Sequence, residues 1–161
     1  MPNRLLLFCF SILALTVMSC GNRTLVFAGE AEPENFSLSF KMPEEFDFEI
    51  LEGAEGKHDF ALEVTYFSEQ MQGWDQIPLY YILTSPTAES DKRISIPVKD
   101  QKDWRGTLLA NEHDRIFEQD IATGLDLAAG KYNLKLYGDS KDEGKPILGI
   151  VKVTFKVYSG K

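Results

Sequence analysis

Cysteine and clustered positive charge are both scarce in this chain. Only two cysteines, Cys9 and Cys20, occur among the 161 residues, and the 17 Lys and Arg are outnumbered by 25 Asp and Glu. No cluster of Lys and Arg offsets this acidity, which argues against nucleic acid as a partner and against electrostatic attraction to anionic lipid headgroups. Solubility alone explains a net negative surface of this kind.

Residues typical of catalysis are also few. The chain has no Gly-x-Ser-x-Gly sequence and no phosphate-binding glycine loop. Its two histidines are His58, in a charged segment that predicts a solvated turn, and His113, between Glu112 and Asp114. Adjacent residues on a strand point to opposite faces and no second His follows at ligand spacing, so this triplet does not predict a metal or acid–base site. We therefore expect neither enzymatic activity nor a metal cofactor.

Loop carboxylates leave calcium as an alternative. Asp100, Asp103, Asp114 and Asp120 fall in segments predicted to be loops, where β-sandwiches bind structural calcium. A solvated acidic rim explains the same four residues without a bound ion, and is the interpretation we favour.

Long apolar runs are limited to one segment near the N-terminus. Leu5 to Leu15 follows the single charge of Arg4 and has the length of a signal-peptide core, too short to span a bilayer comfortably. It leads into Val17-Met18-Ser19-Cys20-Gly21, which resembles the lipobox of bacterial lipoproteins. The small Ser19 admits the signal peptidase, and the Cys20 thiol carries the diacylglycerol. We predict a cleaved signal peptide over residues 1–19; the alternative is an ordinary secretory signal with an accidental Cys.

Cleavage after Ser19 leaves 142 of the 161 residues, the size of one domain, with 16 basic and 25 acidic residues and a net charge of −9. Cys20 is then the only cysteine, so no internal disulfide is expected. Diacylglycerol and an N-acyl chain on Cys20 would anchor the protein to a membrane without crossing it. We expect a cell-envelope location, by default the outer membrane, with the domain in the periplasm or at the surface.

Two regions follow the predicted cleavage site. Residues 20–35 contain Pro33 and several acids and are predicted to be an extended, lipidated tether, in which residues 24–27 are compatible with a short edge strand. From residue 36 onward apolar residues recur with a period of two, which is typical of strands with one buried face. Many short strands and almost no helix predict an antiparallel β-sandwich, Ig-like or jelly-roll-like, over residues 36–161. The alternating runs lie near Phe36–Phe40, Phe46–Ile50, Phe60–Tyr66, Ile94–Val98, Tyr132–Leu136 and Val151–Val157.

Three other segments have less regular patterns. Residues 77–84 are apolar on both faces, which suits a central strand or a strand presenting a surface patch. Pro97 predicts that its strand lies near a sheet edge, because proline cannot donate to a ladder. Asn111 is a candidate N-cap for a short helix over residues 111–120.

Aromatic residues are the remaining candidates for function. Trp74, Tyr80 and Trp104 fall in or beside predicted loops and a strand, where their apolar ring faces can stack on sugar rings or contact a partner. The alternative is that both Trp cap the ends of the core. Trp104, beside Gly106 in a tight turn, favours the core interpretation, and for Trp74 the two interpretations are even.

The order of these segments resembles the gliding-motility lipoprotein GldH family of Bacteroidetes. The residues that carry the resemblance follow the lipoprotein start: Phe46-Asp47-Phe48, Phe60–Tyr66, Ile77–Tyr81, Asp103-Trp104-Arg105-Gly106, Gly130-Lys131-Tyr132 and Leu148–Val153. The chain lacks the early Trp and the Arg after the third strand that the pattern includes. The resemblance implies a non-enzymatic accessory lipoprotein of the envelope, with other envelope proteins as partners and no catalytic residues. The alternative is a carbohydrate-binding surface lipoprotein that uses Trp74 and Trp104.

Overall fold

The computed structural model describes residues 23–71, 73–140 and 145–160, so the predicted signal peptide and Cys20 lie outside the described residues. Within these ranges the fold is all-β, as predicted, and a single 3-10 turn over Glu34–Phe36 is the only helical element. The strands are β1 (Thr24–Ala31), β2 (Ser37–Leu38), β3 (Glu44–Ile50), β4 (Gly56–Phe67), β5 (Gln76–Thr84), β6 (Glu89–Pro97), β7 (Lys99–Asp100), β8 (Asp103–Trp104), β9 (Thr107–Leu108), β10 (Asp114–Leu127), β11 (Gly130–Gly138), β12 (Ile147–Leu148) and β13 (Ile150–Ser159).

Two antiparallel sheets form the body of the domain. The first has five strands in the order β1-β13-β4-β10-β9, and the second has four in the order β3-β11-β5-β6. Strand β5 is internal, as expected from its two apolar faces, and β6, which ends at Pro97, is an edge strand as predicted. Short two-stranded pairings, β2 with β12 and β7 with β8, close one end.

The core lies between the inner faces of the two sheets. Phe46 and Phe48 of the four-stranded sheet each lie 5.6 Å, between ring centroids, from Phe155 of the five-stranded sheet. Phe60 meets the same ring edge-on at 5.1 Å. Because apolar residues alternate along each strand, each sheet turns one apolar face inward, and the two faces interlock as a sandwich.

The boundary between tether and domain is earlier than predicted. Residues 24–27, which the sequence allows as a short edge strand within the tether, extend to residue 31 and form the edge strand β1, which pairs with β13 from Thr24 opposite Ser159 to Ala31 opposite Val153. Phe27 packs against the core, 5.6 Å from Phe48. The acidic residues that suggested a solvated tether are compatible with this strand because they line its exposed face or follow it.

The run from Phe36 to Phe40 is not the predicted strand. Only Leu38 is buried there, whereas Phe36 is 57% and Phe40 is 50% exposed. Asn35 and Phe36 both have left-handed backbone angles, φ 55° and 52°. This turn precedes Leu38, and the chain bends again at residues 40–42 after β2 ends, so both Phe side chains point away from the core.

Residues 111–120 form no helix. Asn111 does act as a cap, since its Oδ1 accepts the backbone N–H of His113 and Asp114 at 3.1 and 3.0 Å, but it caps a turn that leads into β10. Strand β10 is 14 residues long and pairs with β4 from Asp114 opposite Phe67 onward. Pairing with a neighbouring strand therefore overrides the partly helical spacing.

His58 is not the solvated residue that its charged surroundings suggested. It lies in β4 and is 1% exposed. Its Nδ1 lies 2.9 Å from the carbonyl oxygen of Gly56, and its Nε2 has no hydrogen-bond partner among the described residues. Because side chains alternate between the two faces of a strand, the charged neighbours of His58 point to the solvent side while its ring points inward.

Candidate interaction surface

The two tryptophans lie against the core. Trp74 and Trp104 are partly buried and pack on the core cluster. The Trp104 ring lies 6.1 Å from Tyr66, and the Lys99 ammonium lies 4.5 Å from its centroid. Packing of this kind matches the capping role favoured for Trp104 and extends it to Trp74.

Tyr80 lies on the outer face of the four-stranded sheet. Strand β5 alternates buried and partly exposed residues, so Leu79 and Tyr81 face the core while Tyr80 faces solvent. In the sheet register Tyr80 is opposite Tyr137 on β11 and Arg93 on β6. Cross-strand neighbours on one face are about 5 Å apart at Cβ, which brings these three side chains together.

Phe40 completes an aromatic cluster, which we define as Phe40, Tyr80 and Tyr137. The Phe40 ring stacks on Tyr80 at 6.2 Å and lies 5.8 Å from Tyr137, and the two Tyr rings are 5.8 Å apart. Each ring thus contacts both others. The exposed Met42, at 59%, extends the apolar surface.

The backbone around Ser39 holds Phe40 over the sheet. The N–H of Gly138 donates to the carbonyl of Ser39 at 3.1 Å, which ties this segment to the end of β11. The N–H of Met42 donates to the Ser39 hydroxyl at 3.1 Å. Gly138 is required by this approach, because a Cβ there would lie 2.5 Å from the carbonyl oxygen of Leu38.

Charged groups of both signs border the aromatic cluster. The Arg93 guanidinium lies 5.6 Å from the Tyr80 ring centroid, and its Nε donates to Asp139 at 2.9 Å. Desolvation raises the pKa of the Tyr80 phenol, and a hydrogen bond with the Asp91 carboxylate raises it further. Tyr80 therefore stays a neutral hydrogen-bond donor at physiological pH.

The outer face of the five-stranded sheet differs in character. Lys156 contacts Glu63 at 2.9 Å and Glu118 at 2.8 Å, and the Tyr158 hydroxyl donates to Glu118 at 2.9 Å. The side chains on this face satisfy one another across three strands. The outer face of the four-stranded sheet instead carries the aromatic cluster, in which Phe40 is exposed and Tyr80 and Tyr137 are partly exposed.

Exposed apolar side chains gather at the two ends of the sandwich. Five of the eight large hydrophobic residues that are exposed in the described ranges lie at the end where β1 finishes, and three at the end where it starts. The first group comprises Phe36, Phe40, Met42, Leu108 and Leu148, and the second comprises Leu25, Val26 and Leu51. We call these the far end and the near end, in order of their distance along β1 from Cys20.

The far end also carries an apolar cleft of about 480 Å³. Phe36, Phe67 and Val151 line it together with His113 and Asp114. The His113 ring meets Phe67 edge-on at 6.0 Å. His113 thus lies at the edge of a hydrophobic depression, and the Asn111 turn orders the backbone beside it.

Metal-binding clusters and membrane-spanning helices are both absent from the described part of the chain. No group of three or more His, Cys, Asp or Glu side chains there is arranged to hold a metal ion. The same residues contain no apolar helix of membrane-spanning length. No known family model matches the chain, and no curated protein is significantly similar to it.

Sequence reasoning identified Tyr80 but missed its two partners. Tyr137 was recoverable, because it directly follows Leu136 in an alternating run and so must face outward. Phe40 was not, because the alternating run predicts that it faces inward with Leu38, whereas β2 ends at Leu38 and the chain bends at Phe40. The Met42-Pro43 break was the one local signal that the run ended early.

Proposed function

We propose that this protein is a lipid-anchored, non-enzymatic accessory protein of the cell envelope, similar to the gliding-motility lipoprotein GldH. In this proposal Cys20 carries the lipid and fixes the protein to a membrane, by default the outer membrane. The domain acts through contact with another envelope protein. The observation that carries the proposal is the aromatic cluster, with Phe40 exposed and Tyr80 and Tyr137 partly exposed on the outer sheet face.

The composition of this surface favours a protein partner. Tyr, Phe, Met and Arg are enriched at the buried centres of protein interfaces, and Phe40, Met42, Tyr80, Arg93 and Tyr137 meet that description. The rings pack on one another at 5.8–6.2 Å and are tilted by 28–42°. Rings tilted against one another in this way do not share one plane, so they favour contact with a partner's side chains over a flat platform for a sugar chain.

A cross-linking pull-down tests the proposal. The tagged full-length chain would be expressed in an envelope-bearing bacterium, cross-linked in living cells and recovered. A triple variant, Phe40→Ser, Tyr80→Ser and Tyr137→Ser, should lose the recovered partner about tenfold or more, as loss of interface hot spots does. The matched control, Glu30→Ser with Lys152→Ser, removes an exposed ion pair from the other sheet face and should leave recovery unchanged.

Two outcomes would contradict the proposal. Equal recovery by the triple variant and the wild-type chain would remove the aromatic cluster from the interface. Binding to an isolated polysaccharide that is lost with Trp74→Ala or Trp104→Ala, but kept by the triple variant, would favour the carbohydrate-binding alternative.

A further inference from the structure

The near end of the sandwich carries three exposed apolar residues that the aromatic cluster does not explain. Leu25 is 48%, Val26 is 39% and Leu51 is 65% exposed. We call these three residues the basal rim. Isolated exposed hydrophobics are ordinary, but a group beside the point where the chain would meet a lipid anchor suggests a contact.

The members of the basal rim share one end of the molecule although they lie on different sheets. Phe27 of β1 contacts Phe48 of β3 at 5.6 Å, and a Cβ on Gly29 would lie 3.2 Å from Phe46. The two strands therefore run side by side in opposite directions. The start of β1, with Leu25, and the end of β3, before Leu51, consequently lie at the same end.

The chain leaves little slack between Cys20 and this end. Arg23 is fixed to the domain, because its Nη1 contacts Asp120 at 2.9 Å and Asp59 at 3.4 Å and its guanidinium lies 4.6 Å from the Tyr158 ring centroid. The hydrogen bond with Asp120 is the main cause that raises the pKa of Arg23, so the contact is made by a charged group. Two residues, Gly21 and Asn22, separate Arg23 from Cys20, and the three Cα–Cα steps between them span at most about 11 Å when fully extended.

We propose that the basal rim rests on the lipid surface into which the acyl chains of Cys20 insert. This inference depends on the lipidation of Cys20 in the proposed function and adds an orientation to it. Leu25, Val26 and Leu51 contact the boundary between headgroups and acyl chains, and the far end points away from the membrane. The short linker keeps the rim at a high effective concentration at the surface, so the contact forms without strong affinity of its own.

Charge near the rim indicates which lipid it suits. Glu52 and Glu55 follow Leu51 in the turn between β3 and β4, and Lys57 is already paired with Asp126. An acidic border is repelled by anionic headgroups and tolerated by zwitterionic ones. The rim therefore suits a phosphatidylethanolamine or phosphatidylcholine surface.

Site-specific fluorescence on the lipidated chain tests this contact. Because Cys20 carries lipid in the mature protein, Leu51→Cys supplies the single free thiol for an environment-sensitive NBD probe. Leu148→Cys, also half-exposed but at the far end, is the matched control. In phosphatidylcholine vesicles that contain doxyl-labelled lipid, we expect strong quenching and a blue shift at position 51 and neither at position 148.

A second variant separates orientation from anchoring. A flexible insert of Gly and Ser residues between Gly21 and Asn22 should lower quenching at position 51 while the protein stays on the vesicles. Equal quenching at positions 51 and 148 in a chain whose mass shows acylation would overturn the contact and leave the anchor intact. A mature chain with no acyl mass on Cys20 would overturn both.

Discussion

At the scale of single residues, the buried hydroxyls of Thr154 and Tyr66 can be compared, because one has no hydrogen-bond partner within the described ranges and the other has two. Thr154 is 3% exposed and its Oγ1 has no hydrogen-bond partner within the described ranges. Thr154→Val keeps the branched shape and removes the unpaired oxygen, so it should raise the free energy of unfolding by about 1 kcal/mol. Urea denaturation at neutral pH measures this change. A lower free energy of unfolding in Thr154→Val would contradict the conclusion that the buried Oγ1 has no hydrogen-bond partner within the described ranges.

The Tyr66 hydroxyl is the opposite case. It donates to the carbonyl oxygen of Arg105 at 2.7 Å and to that of Val98 at 3.3 Å, and so ties the segment after β6 to β4. Tyr66→Phe should lower the free energy of unfolding by about 1–2 kcal/mol, because a buried acceptor loses its partner. The same urea titration checks this sign, and no change would mean that the two contacts are not formed in solution.

The pH dependence gives Tyr66 a second measurement. Burial raises the pKa of its phenol, so the unfolded chain loses this proton at a lower pH than the folded chain does. Stability should therefore fall as the pH rises above about 10, and Tyr66→Phe should remove part of that fall.

His58 marks the limit of prediction at this scale. Its neighbours Lys57 and Asp59 are charged and polar residues precede it, so local composition indicates solvent. Strand β4, however, begins at Gly56, and the position of His58 in that strand turns its ring inward. Local polarity cannot predict burial when a long strand passes through a charged segment.

At the scale of elements, β1 decides whether the N-terminal region is a tether or part of the folded domain. If residues 20–35 were a tether, a chain starting at residue 36 would fold as well as one starting at residue 23. Because β1 covers β13 and places Phe27 on Phe48 and Phe155, we expect the shorter chain to lose at least about 3 kcal/mol or to stay unfolded. Thermal unfolding of the two chains, both without lipid, can be followed by circular dichroism. Equal melting temperatures would show that residues 23–35 are a tether and not part of the folded domain.

The side of the sandwich between β6 and β10 has an open groove of about 300 Å³. Within the described residues β10 pairs with β9 only at Arg115 and Ile116, so much of its edge is free. The Lys92 ammonium reaches across and donates to the carbonyl oxygen of Ile121 at 3.2 Å. A lysine pointing inward at an edge strand is a recognised protection against strand addition.

Replacement of Lys92 should therefore expose the free edge of β10, which the Lys92 side chain now reaches. We expect Lys92→Leu to strengthen self-association about tenfold, seen as a concentration-dependent rise in sedimentation coefficient, because a second chain can then pair along the edge. Lys152→Leu, on the outer face of the other sheet, adds the same apolar surface away from an edge and is the control. Equal association of the two variants would show that apolar surface, and not the free edge, is responsible.

Elements with strict alternation were predictable, and those shaped by distant partners were not. The run in β11, from Tyr132 to Leu136, and the two apolar faces of β5 appear in the sequence as they do in the fold. Strand β10 was missed because its bulges disturb the alternation, with register shifts between Asp120 and Ala122 and again before Leu125. Strand β1 was predicted only in part, as a short edge strand over residues 24–27 of the tether, and a bulge between Leu25 and Phe27 breaks its pattern.

At the scale of the whole molecule, the sandwich is polar along one sheet face and apolar at its two ends. The near end lies beside the predicted lipid anchor, and the far end carries the cleft and, on the adjoining sheet face, the aromatic cluster. Of the aromatic cluster, the sequence analysis singled out Tyr80 alone, because the sheet register brings Tyr137 beside it and the Ser39–Gly138 hydrogen bond places Phe40 on both. We propose that the lipid anchor holds the near end at the membrane and leaves the aromatic cluster accessible to a partner.

The most direct measurement of this account is photo-cross-linking in living cells from one position at a time. A photoreactive phenylalanine analogue would replace Phe40 in the aromatic cluster, Leu51 in the basal rim, or Lys152 on the polar sheet face. We expect a discrete protein adduct from position 40, lipid adducts from position 51 and neither from position 152. Protein adducts of equal yield from positions 40 and 152, or none from position 40, would contradict it.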